Sequence, residues 1–305
     1  MPDLIVIDLE WNTAGRKLKV PASEAARMPF EIMEIGAAKV NGQLDLVDTF
    51  HRRVIPVLYR EIQYHIAKVT QRTQESLGEG DPFPRVAADF FSFAGPRPIL
   101  ASWGTSDPEV LISNLRFHGL EPEAGFQALN LQAVFSRLAE GTGRGNQRSI
   151  EYALDFFQLD KDLPFHEAKS DAVYAARILQ ATLAAEAEKR PGQSPQALLK
   201  AYLYNPFLKS QSEEQIRLDK KDDPLDILRG HPLACPACGQ ALTGDWTQIK
   251  PGKSWFALGS CPAHGSVELL ARRSPRSRVP LLLIRTRIPQ GPVSIPQAQP
   301  LPDSP

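Results

Sequence analysis

Three strand-like runs follow one another at the start of this 305-residue chain. Residues 4–10, 31–40 and 46–54 are rich in β-branched and other apolar side chains, and polar stretches separate them. Runs of this length and composition are typical of buried β-strands. Because the three runs come in direct succession, the sequence predicts an antiparallel meander at the beginning of the fold.

Helical periodicity replaces the strand pattern after this meander. Apolar residues recur at spacings of three and four, which is typical of amphipathic helices. A further strand is expected at 99–103, and Ser170 is a candidate cap for the last and longest helix. The order of elements predicts an α/β fold with a mixed β-sheet flanked by helices. The helices are expected at 82–93, 107–120, 131–138, 150–157 and 171–189.

The chain changes character after residue 190. Proline and glycine residues interrupt the helical pattern there, and a charged, polar stretch follows at 209–223. All three cysteines lie farther on, and the C-terminal end is rich in proline, which cannot build a core. We therefore predict four segments: a large α/β domain at 1–189, a linker with a short helix at 190–230, a cysteine-bearing module at 231–288 and a disordered tail at 289–305.

The composition places the chain among soluble globular proteins. Hydrophobic residues make up 42% and charged residues 23% of it. Its apolar runs are far shorter than the roughly 18 residues that a membrane-spanning helix needs, and no signal peptide is visible. An odd number of cysteines argues against a secreted disulfide framework. We expect a cytoplasmic protein without a membrane partner.

Two carboxylates stand out on the first predicted strand. Asp8 and Glu10 are two residues apart, so both side chains project from the face opposite Ile7 and Leu9. Neighbouring carboxylates repel each other unless a cation lies between them, and hard divalent cations such as Mg²⁺ and Mn²⁺ prefer oxygen ligands. Acidic residues at strand ends are also common without any metal, so this pair alone leaves both interpretations open.

Two further acidic residues and a histidine strengthen the metal interpretation. Asp107 follows the strand at 99–103 and Asp171 opens the long helix, although either could be an ordinary residue of a helix N-terminus. His166 precedes Asp171 by five residues, a spacing that lets a loop histidine stand beside a helix-start aspartate. The sequence thus predicts a site in which carboxylates and one imidazole come together.

Taken in order, these motifs resemble those of the DEDDh exonucleases, a family with an RNase H-like fold. The sequence around the motifs is most similar to the ERI-type branch, which acts on RNA ends. This similarity depends on the Asp81-Pro-Phe-Pro segment and on the Trp-Gly-x-x-Asp form of the motif that ends at Asp107. The resemblance covers about residues 3–185. The motifs are Asp8-Leu-Glu10, Glu34-Ile-Gly36, Trp103-Gly-x-x-Asp107 and His166-x-x-x-x-Asp171.

The resemblance implies a two-metal mechanism. Two Mg²⁺ or Mn²⁺ ions would be held by Asp8, Glu10, Asp107 and Asp171, and would clamp the attacking and leaving oxygens of a displacement at phosphorus. His166 would be the general base, since an imidazole accepts protons near neutral pH. The implied activity is 3′-5′ hydrolysis of single-stranded nucleic acid, with RNA favoured over DNA and nucleoside 5′-monophosphates as products.

The cysteines form a second constellation. Cys235 and Cys238 form one Cys-x₂-Cys knuckle, and Cys261 and His264 form a Cys-x₂-His knuckle farther along. Three thiolates and one imidazole are the ligand set of a closed, structural Zn²⁺ site. A disulfide would leave one cysteine unpaired. We expect the module to depend on zinc for its folding.

The purpose of this module is left open between two classes of partner. Basic groups with aromatics between them suit single-stranded nucleic acid, and a protein partner or a stabilising role is the alternative. For the whole chain, the rivals to an exonuclease are a nuclease-fold regulatory or binding protein with secondary or lost hydrolysis, and a proofreading subunit of a DNA polymerase. The residues concerned are Trp246, Trp255, Phe256, Arg272, Arg273, Arg276, Arg278, Arg285 and Arg287.

Overall fold

The computed structural model contains two units, Met1–Phe207 and Leu208–Pro305, each with its own hydrophobic core. None of the helices formed by the described residues has the length and hydrophobicity that crossing a bilayer requires. The structure describes residues 3–15, 20–120, 126–142, 147–208, 211–219, 221–274, 280–289 and 291–293.

The first unit contains seven strands and eight α-helices within the described residues. Its strands are β1 (Leu4–Thr13), β2 (Phe30–Val40), β3 (Leu46–Ile55), β4 (Asp81–Pro82), β5 (Ile99–Ser102), β6 (Gln127–Asn130) and β7 (Leu203–Tyr204). Its helices are α1 (Ala22–Arg27), α2 (Tyr64–Thr70), α3 (Phe83–Ala94), α4 (Ser106–Phe117), α5 (Leu131–Leu138), α6 (Ile150–Phe157), α7 (Ala168–Lys189) and α8 (Pro195–Lys200).

The strands of this unit form one mixed sheet in the order β4-β3-β2-β1-β5-β6-β7. Strands β1, β2 and β3 pair antiparallel, as the predicted meander requires, whereas β5 pairs with β1 and β6 pairs with β5 in parallel. The predicted α/β class, with a mixed sheet flanked by helices, is confirmed. Helix α7 begins at Ala168, earlier than predicted, so Ser170 is a buried residue of its first turn and not its cap.

Alternating side chains of β1 divide the core into two layers. Leu4 and Val6 pack in the layer that contains α5, α7 and α8, and Ile5 and Ile7 pack in the layer that contains α3 and α4. Burying one such side chain contributes about 1.5–3 kcal/mol, so the register of β1 is strongly determined. Because the period of a strand is two residues, the carboxylates that continue the first row lie on the α7 side.

The segment after β3 is fastened to the sheet by buried polar side chains. The Glu31 carboxylate accepts hydrogen bonds from the backbone N–H groups of Val57, Leu58 and Tyr59, at 2.5–3.0 Å. The side-chain amide of Asn12 donates to the carbonyl oxygen of Tyr59 at 2.9 Å. Glu31 and Asn12 are cross-strand partners of β2 and β1. This connection therefore has a defined position beside the first two strands.

The second unit is a five-stranded antiparallel sheet with a small two-stranded hairpin. The sheet order is β11-β12-β13-β14-β8, and β9 pairs with β10 in the hairpin. Its core includes Trp246, Trp255 and Leu269 together with two of the cysteines. The elements are β8 (Gln211–Arg217), α9 (Pro224–Gly230), β9 (Leu233–Ala234), β10 (Ala241–Leu242), β11 (Thr247–Lys250), β12 (Ser254–Cys261), β13 (Gly265–Arg273) and β14 (Leu281–Arg287).

The predicted linker at 190–230 differs from what the structure contains. Its first part forms α8 and β7, and β7 is the edge strand of the first sheet; its later part forms β8 and α9, and β8 is the edge strand of the second sheet. Polar edge strands bury few side chains, so they lack the apolar pattern by which strands are recognised. Most of the predicted tail at 289–305 lies outside the described residues.

Candidate active site

A glycine lets the long helix start directly against the sheet. Gly36 of β2 is the cross-strand partner of Asp8. A Cβ atom on Gly36 would lie 2.0 Å from the carbonyl carbon of Ala168 and 2.2 Å from the amide nitrogen of Lys169. Only a residue without a side chain permits this approach. The first turn of α7, which carries Asp171, is thereby brought onto the face of β1 that bears Asp8 and Glu10.

The result is a cluster of three carboxylates. Each of Asp8, Glu10 and Asp171 contributes an oxygen atom, and these atoms all lie within 4.8 Å of one another. Asp171 is buried, with 8% of its surface exposed. Its Oδ2 atom accepts a hydrogen bond from the backbone N–H of His166 at 3.1 Å, whereas its Oδ1 atom is buried and has no hydrogen-bond partner among the described residues.

Asp107 adds a fourth carboxylate beside these three. It lies in the first turn of α4 and its Oδ1 atom accepts a hydrogen bond from the backbone N–H of Leu9 at 3.0 Å. Since Leu9 stands between Asp8 and Glu10, this bond holds Asp107 against the two β1 carboxylates. The structure thus brings together all four carboxylates that the sequence singles out.

His166 occupies an unusual backbone conformation at the edge of this cluster. Its φ is +62°, in the left-handed region where a residue other than glycine is uncommon. In this conformation its N–H group reaches Asp171, and the residue as a whole is exposed. The backbone therefore orients the carboxylate, while the imidazole stays accessible to solvent.

Burial and mutual repulsion raise the pKa values of the cluster. Burial, followed by the charges of Asp107, Asp171 and Glu10, raises the pKa of Asp8 well above its ordinary range. Burial and then the charge of Asp171 raise the pKa of Glu10 to about 7, against an opposing effect of Arg72. Four acidic groups are thus held where ionisation costs free energy.

Hydrogen bonds moderate the same effect at the two helix-borne aspartates. Burial raises the pKa of Asp107 to about 7, and the hydrogen bond from Leu9 opposes the increase. Burial raises the pKa of Asp171 to about 6, against the hydrogen bond and charge of His166. These bonds favour the ionised form of each carboxylate.

The cluster fits hard divalent cations. Carboxylate oxygens are the preferred ligands of such ions, and an ion between them would offset the repulsion that raises the pKa values. The buried, unpartnered Oδ1 atom of Asp171 is the clearest sign, because a buried acceptor without a partner is costly. Asp8 and Glu10 are placed to share such an ion with it.

Replacing Gly36 with alanine should disturb this site directly. The added methyl group would meet the backbone of Ala168, which cannot rotate away, so the start of α7 and Asp171 must shift. We expect a loss of stability of about 1–3 kcal/mol and a loss of metal-dependent activity larger than the loss of folded protein. Thermal denaturation and initial rates measure both effects.

Gly78→Ala is the matched control, because an added Cβ there meets nothing within 4 Å. It should leave both measurements unchanged. A Gly36→Ala variant with unaltered activity would contradict the assigned approach of α7.

One functional neighbour carries no sequence signal. Arg72, in the segment after α2, forms an ion pair with Glu34, and their side chains are 9% and 4% exposed. Glu34 also contacts His51, with 2.7 Å between Oε1 and Nε2. Glu34 belongs to the second sequence motif, but no sequence pattern marks Arg72 or His51 as its partners, so only the folded structure reveals these contacts.

Comparison with known proteins agrees with this geometry. The model of the RNase T exonuclease family matches residues 5–179, the segment that contains all four carboxylates and His166. The chain belongs to this exonuclease family. No curated protein matches the sequence at a significant level.

Solved structures similar to this chain share its fold. Cell-death related nuclease 4 is 19% identical, with a TM-score of 0.50 over 60% of this chain and 64% of that one. A structure of exonuclease I is 14% identical, with a TM-score of 0.55 over 96% and 64% of the two chains. Exonuclease I from E. coli in complex with a dA16 oligonucleotide is 12% identical, with a TM-score of 0.53 over 93% and 63%. This chain thus spans less than two thirds of each of these chains.

The second unit holds the four predicted zinc ligands together. Cys238 and Cys261 have their Sγ atoms 3.7 Å apart, and His264 Nδ1 lies 3.6 Å from the Sγ atoms of Cys235 and Cys261. The cysteines form no disulfide. Around an ion at the usual Zn–S distance of about 2.3 Å, tetrahedral ligands are about 3.8 Å apart. The spacing therefore fits a tetrahedral metal ion.

The ionisation of Cys261 agrees with this arrangement. Burial opposes it, but the His264 side chain and the backbone N–H groups of Ala263 and His264 outweigh burial and lower the pKa of the thiol to about 6. A thiolate, and not a thiol, is the form that binds a metal.

Most of the aromatic and basic side chains that are candidates for nucleic-acid binding in this unit are buried or ion-paired where the structure describes them. Trp246, Trp255 and Phe256 are buried, at 9%, 2% and 7% exposure, so they are not available to stack on bases. Arg285 pairs with Glu213 and Arg287 with Glu268. Arg272 and Arg273 are exposed, and Arg276 and Arg278 lie outside the described residues.

Proposed function

We propose that this protein is a metal-dependent 3′-5′ exonuclease that hydrolyses single-stranded nucleic acid, with RNA favoured over DNA, and releases nucleoside 5′-monophosphates. The observation that carries the proposal is the partly buried carboxylate cluster of Asp8, Glu10 and Asp171, beside Asp107, within the segment that matches the exonuclease family. Two Mg²⁺ or Mn²⁺ ions bound there would supply charge stabilisation to the reacting phosphate and activate water.

The residues of the chain have separate tasks in this proposal. Asp8, Glu10, Asp107 and Asp171 hold the cations, and the hydrogen bonds from Leu9 and His166 keep the two helix-borne carboxylates in position. His166 takes the proton from the attacking water, since its imidazole is exposed at the edge of the cluster. General-base catalysis of this kind typically contributes 10²–10⁴-fold to a rate.

Cys235, Cys238, Cys261 and His264 hold a structural Zn²⁺ ion in the same proposal. This ion organises the second unit, whose partner we propose to be either the nucleic acid or another protein. In neither role do the zinc ligands take part in phosphodiester hydrolysis, because all proposed catalytic residues lie in the first unit.

The proposal is tested by identifying the product released from 3′-labelled RNA and DNA oligonucleotides of one sequence. With Mg²⁺ or Mn²⁺, we expect labelled nucleoside 5′-monophosphate, released faster from RNA. His166→Ala should lower this rate by about 10²–10⁴-fold. His65→Ala is the control, since His65 is exposed and has no place in the proposed chemistry.

Tight binding of the oligonucleotide without release of any product would instead favour a nuclease-fold binding protein. Release from DNA alone would favour a proofreading enzyme. Release of the terminal residue as an unphosphorylated nucleoside, with the phosphate left on the 3′ end of the shortened strand, would exclude the proposed cleavage of the bond between phosphorus and the 3′ oxygen.

A further inference from the structure

A buried cation lies next to the carboxylate cluster. Arg72 follows Gln71, whose φ of +54° puts it in the left-handed region and turns the chain after α2. The Arg72 side chain is only 9% exposed and its Nη2 atom is paired with Oε2 of Glu34. A guanidinium is seldom buried to this extent unless it is paired, so its position is determined by the fold.

The strand register puts this cation beside Glu10. Glu34 of β2 is the direct cross-strand partner of Glu10 of β1, and directly opposed residues project from the same face of a sheet. The Arg72 guanidinium is paired with Glu34, so it lies beside the pair of strands that carries Glu10, a proposed cation ligand.

Glu34 has the properties of a rigid support for Arg72. Its second oxygen, Oε1, lies 2.7 Å from Nε2 of His51, so both carboxylate oxygens are occupied. The chain that leads to Arg72 is itself held, because Glu31 accepts three backbone N–H groups after β3 and Asn12 donates to the same connection. The guanidinium thus has little freedom to leave the site.

Most of the donor groups of Arg72 have no partner among the residues that the structure describes. A guanidinium offers five N–H groups in a planar fork. Within the part of the chain that the structure describes, the single acceptor of that fork is Oε2 of Glu34. Pre-oriented N–H groups on a guanidinium match the geometry of phosphate oxygens and bind them with charge-assisted hydrogen bonds.

We propose, on the basis of the exonuclease function above, that Arg72 binds a phosphate group of the nucleic-acid strand at the carboxylate cluster, with Glu34 and His51 as its positioning residues. A polyanionic strand must approach four carboxylates, and a fixed protein cation beside them provides attraction there. Lysine could keep the charge but not the planar fork, so the role is specific to arginine.

The test measures the binding of a 5′-fluorescent single-stranded RNA oligonucleotide to full-length protein with Mn²⁺. A His166→Ala background slows degradation during the measurement. Arg72→Gln is combined with Glu34→Gln, because removing the cation alone would leave a buried, unpaired carboxylate. We expect Kd to increase by about 10- to 100-fold, as for the loss of a charged hydrogen-bond donor.

The dependence of Kd on salt separates this role from a structural one. Loss of one phosphate contact should reduce the slope of log Kd against log salt concentration by about 0.7, the value for a single-stranded ligand. Arg72→Lys retains the ion pair and should show the full salt slope with an intermediate Kd. Arg85→Gln, which removes an exposed arginine of α3 paired with Asp81, should change neither quantity.

Wild-type degradation of the same oligonucleotide, measured in parallel, separates the two proposals. If the wild type degrades it, an unchanged Kd and salt slope in the double variant overturn the role of Arg72 while the exonuclease function stands. If the double variant does not fold, the Arg72→Lys variant decides the question. A Kd for Arg72→Lys equal to that of the wild type would overturn the role of Arg72. A wild type that neither binds nor degrades the strand contradicts the exonuclease function itself.

Discussion

Asp8→Asn is expected to abolish activity and, in the absence of metal, to make the protein more stable. Asp8 lies in a partly buried cluster, and desolvation together with three neighbouring carboxylates raises its pKa well above the ordinary range. Its ionisation therefore costs folding free energy, about 1.4 kcal/mol for each unit of pKa increase. Asparagine has the same shape and no charge, so it removes the repulsion without leaving a cavity.

We expect the Tm in EDTA at pH 8 to increase by at least about 2 °C. With Mn²⁺ the wild type should have the higher Tm, because only the wild type gains the binding free energy of the ions. Activity should fall by at least about 100-fold, the upper end for a residue that merely supports a metal ligand. Asp89→Asn, a change at an exposed aspartate of α3, should alter none of these quantities.

The same cluster predicts how the stability of the metal-free protein depends on pH. The pKa values of Glu10 and Asp107 are raised to about 7 and that of Asp171 to about 6 in the folded protein. The folded state then binds more protons than the unfolded state between about pH 4 and pH 7. Stability should be greatest at the low end of this window and decrease as pH increases through the raised pKa values.

Thermal denaturation in EDTA across this pH range measures how steeply stability decreases as pH increases. The decrease should be shallower for Asp8→Asn and nearly absent with saturating Mn²⁺. A variant that is less stable than the wild type in EDTA and retains activity would contradict the assignment of Asp8 to a repulsive cation site.

Loss of zinc is expected to unfold much of the second unit. Cys235 and Cys261 are buried in its core, and the ligands join the β9–β10 hairpin to the turn between β12 and β13. Structural zinc binding in small modules contributes about 10–16 kcal/mol, so the loss should exceed the stability of the unit. The purified protein should contain one zinc per chain, and Cys235→Ser should contain much less.

Elemental analysis and limited proteolysis measure these two effects. Cleavage sites should appear after residue 208 in Cys235→Ser, and the first unit should stay resistant because it has its own core. Thr243→Ser, a change in the same unit away from the ligands, is the control. A Cys235→Ser protein with full zinc content and unchanged proteolysis would contradict the site.

The sequence predicts the elements whose apolar pattern is strong. Strands β2 and β3 and the helices α3, α5 and α6 lie within one residue of their predicted bounds, because each buries a regular row of side chains. Strand β1 begins at the predicted residue and continues to Thr13, beyond the predicted end at residue 10. Asp8 and Glu10 follow from the same pattern, since they continue the first predicted strand. Asp107, Asp171 and His166 carry no such periodic signal, and their prediction depends on their spacing and on the resemblance to the DEDDh exonucleases.

Two kinds of feature were not predictable. Strands β7 and β8 lie at sheet edges and are short or polar, so their sequences do not differ from that of a linker. Arg72 and His51 meet Glu34 through contacts between segments distant in sequence, and none of the three has a pattern that signals this meeting. Such contacts depend on how β2, β3 and the connection after β3 pack, which a single sequence does not display.

The measurement that tests the central claim most directly is the degradation of a 5′-labelled single-stranded RNA oligonucleotide by the full-length protein, with Mn²⁺ or with EDTA. Wild type with Mn²⁺ should produce a ladder of labelled products that shortens from the 3′ end. EDTA or Asp8→Asn should leave the strand intact. Equal degradation by wild type and Asp8→Asn, or none by folded wild type with either Mn²⁺ or Mg²⁺, would contradict the assignment of the carboxylate cluster as the catalytic centre.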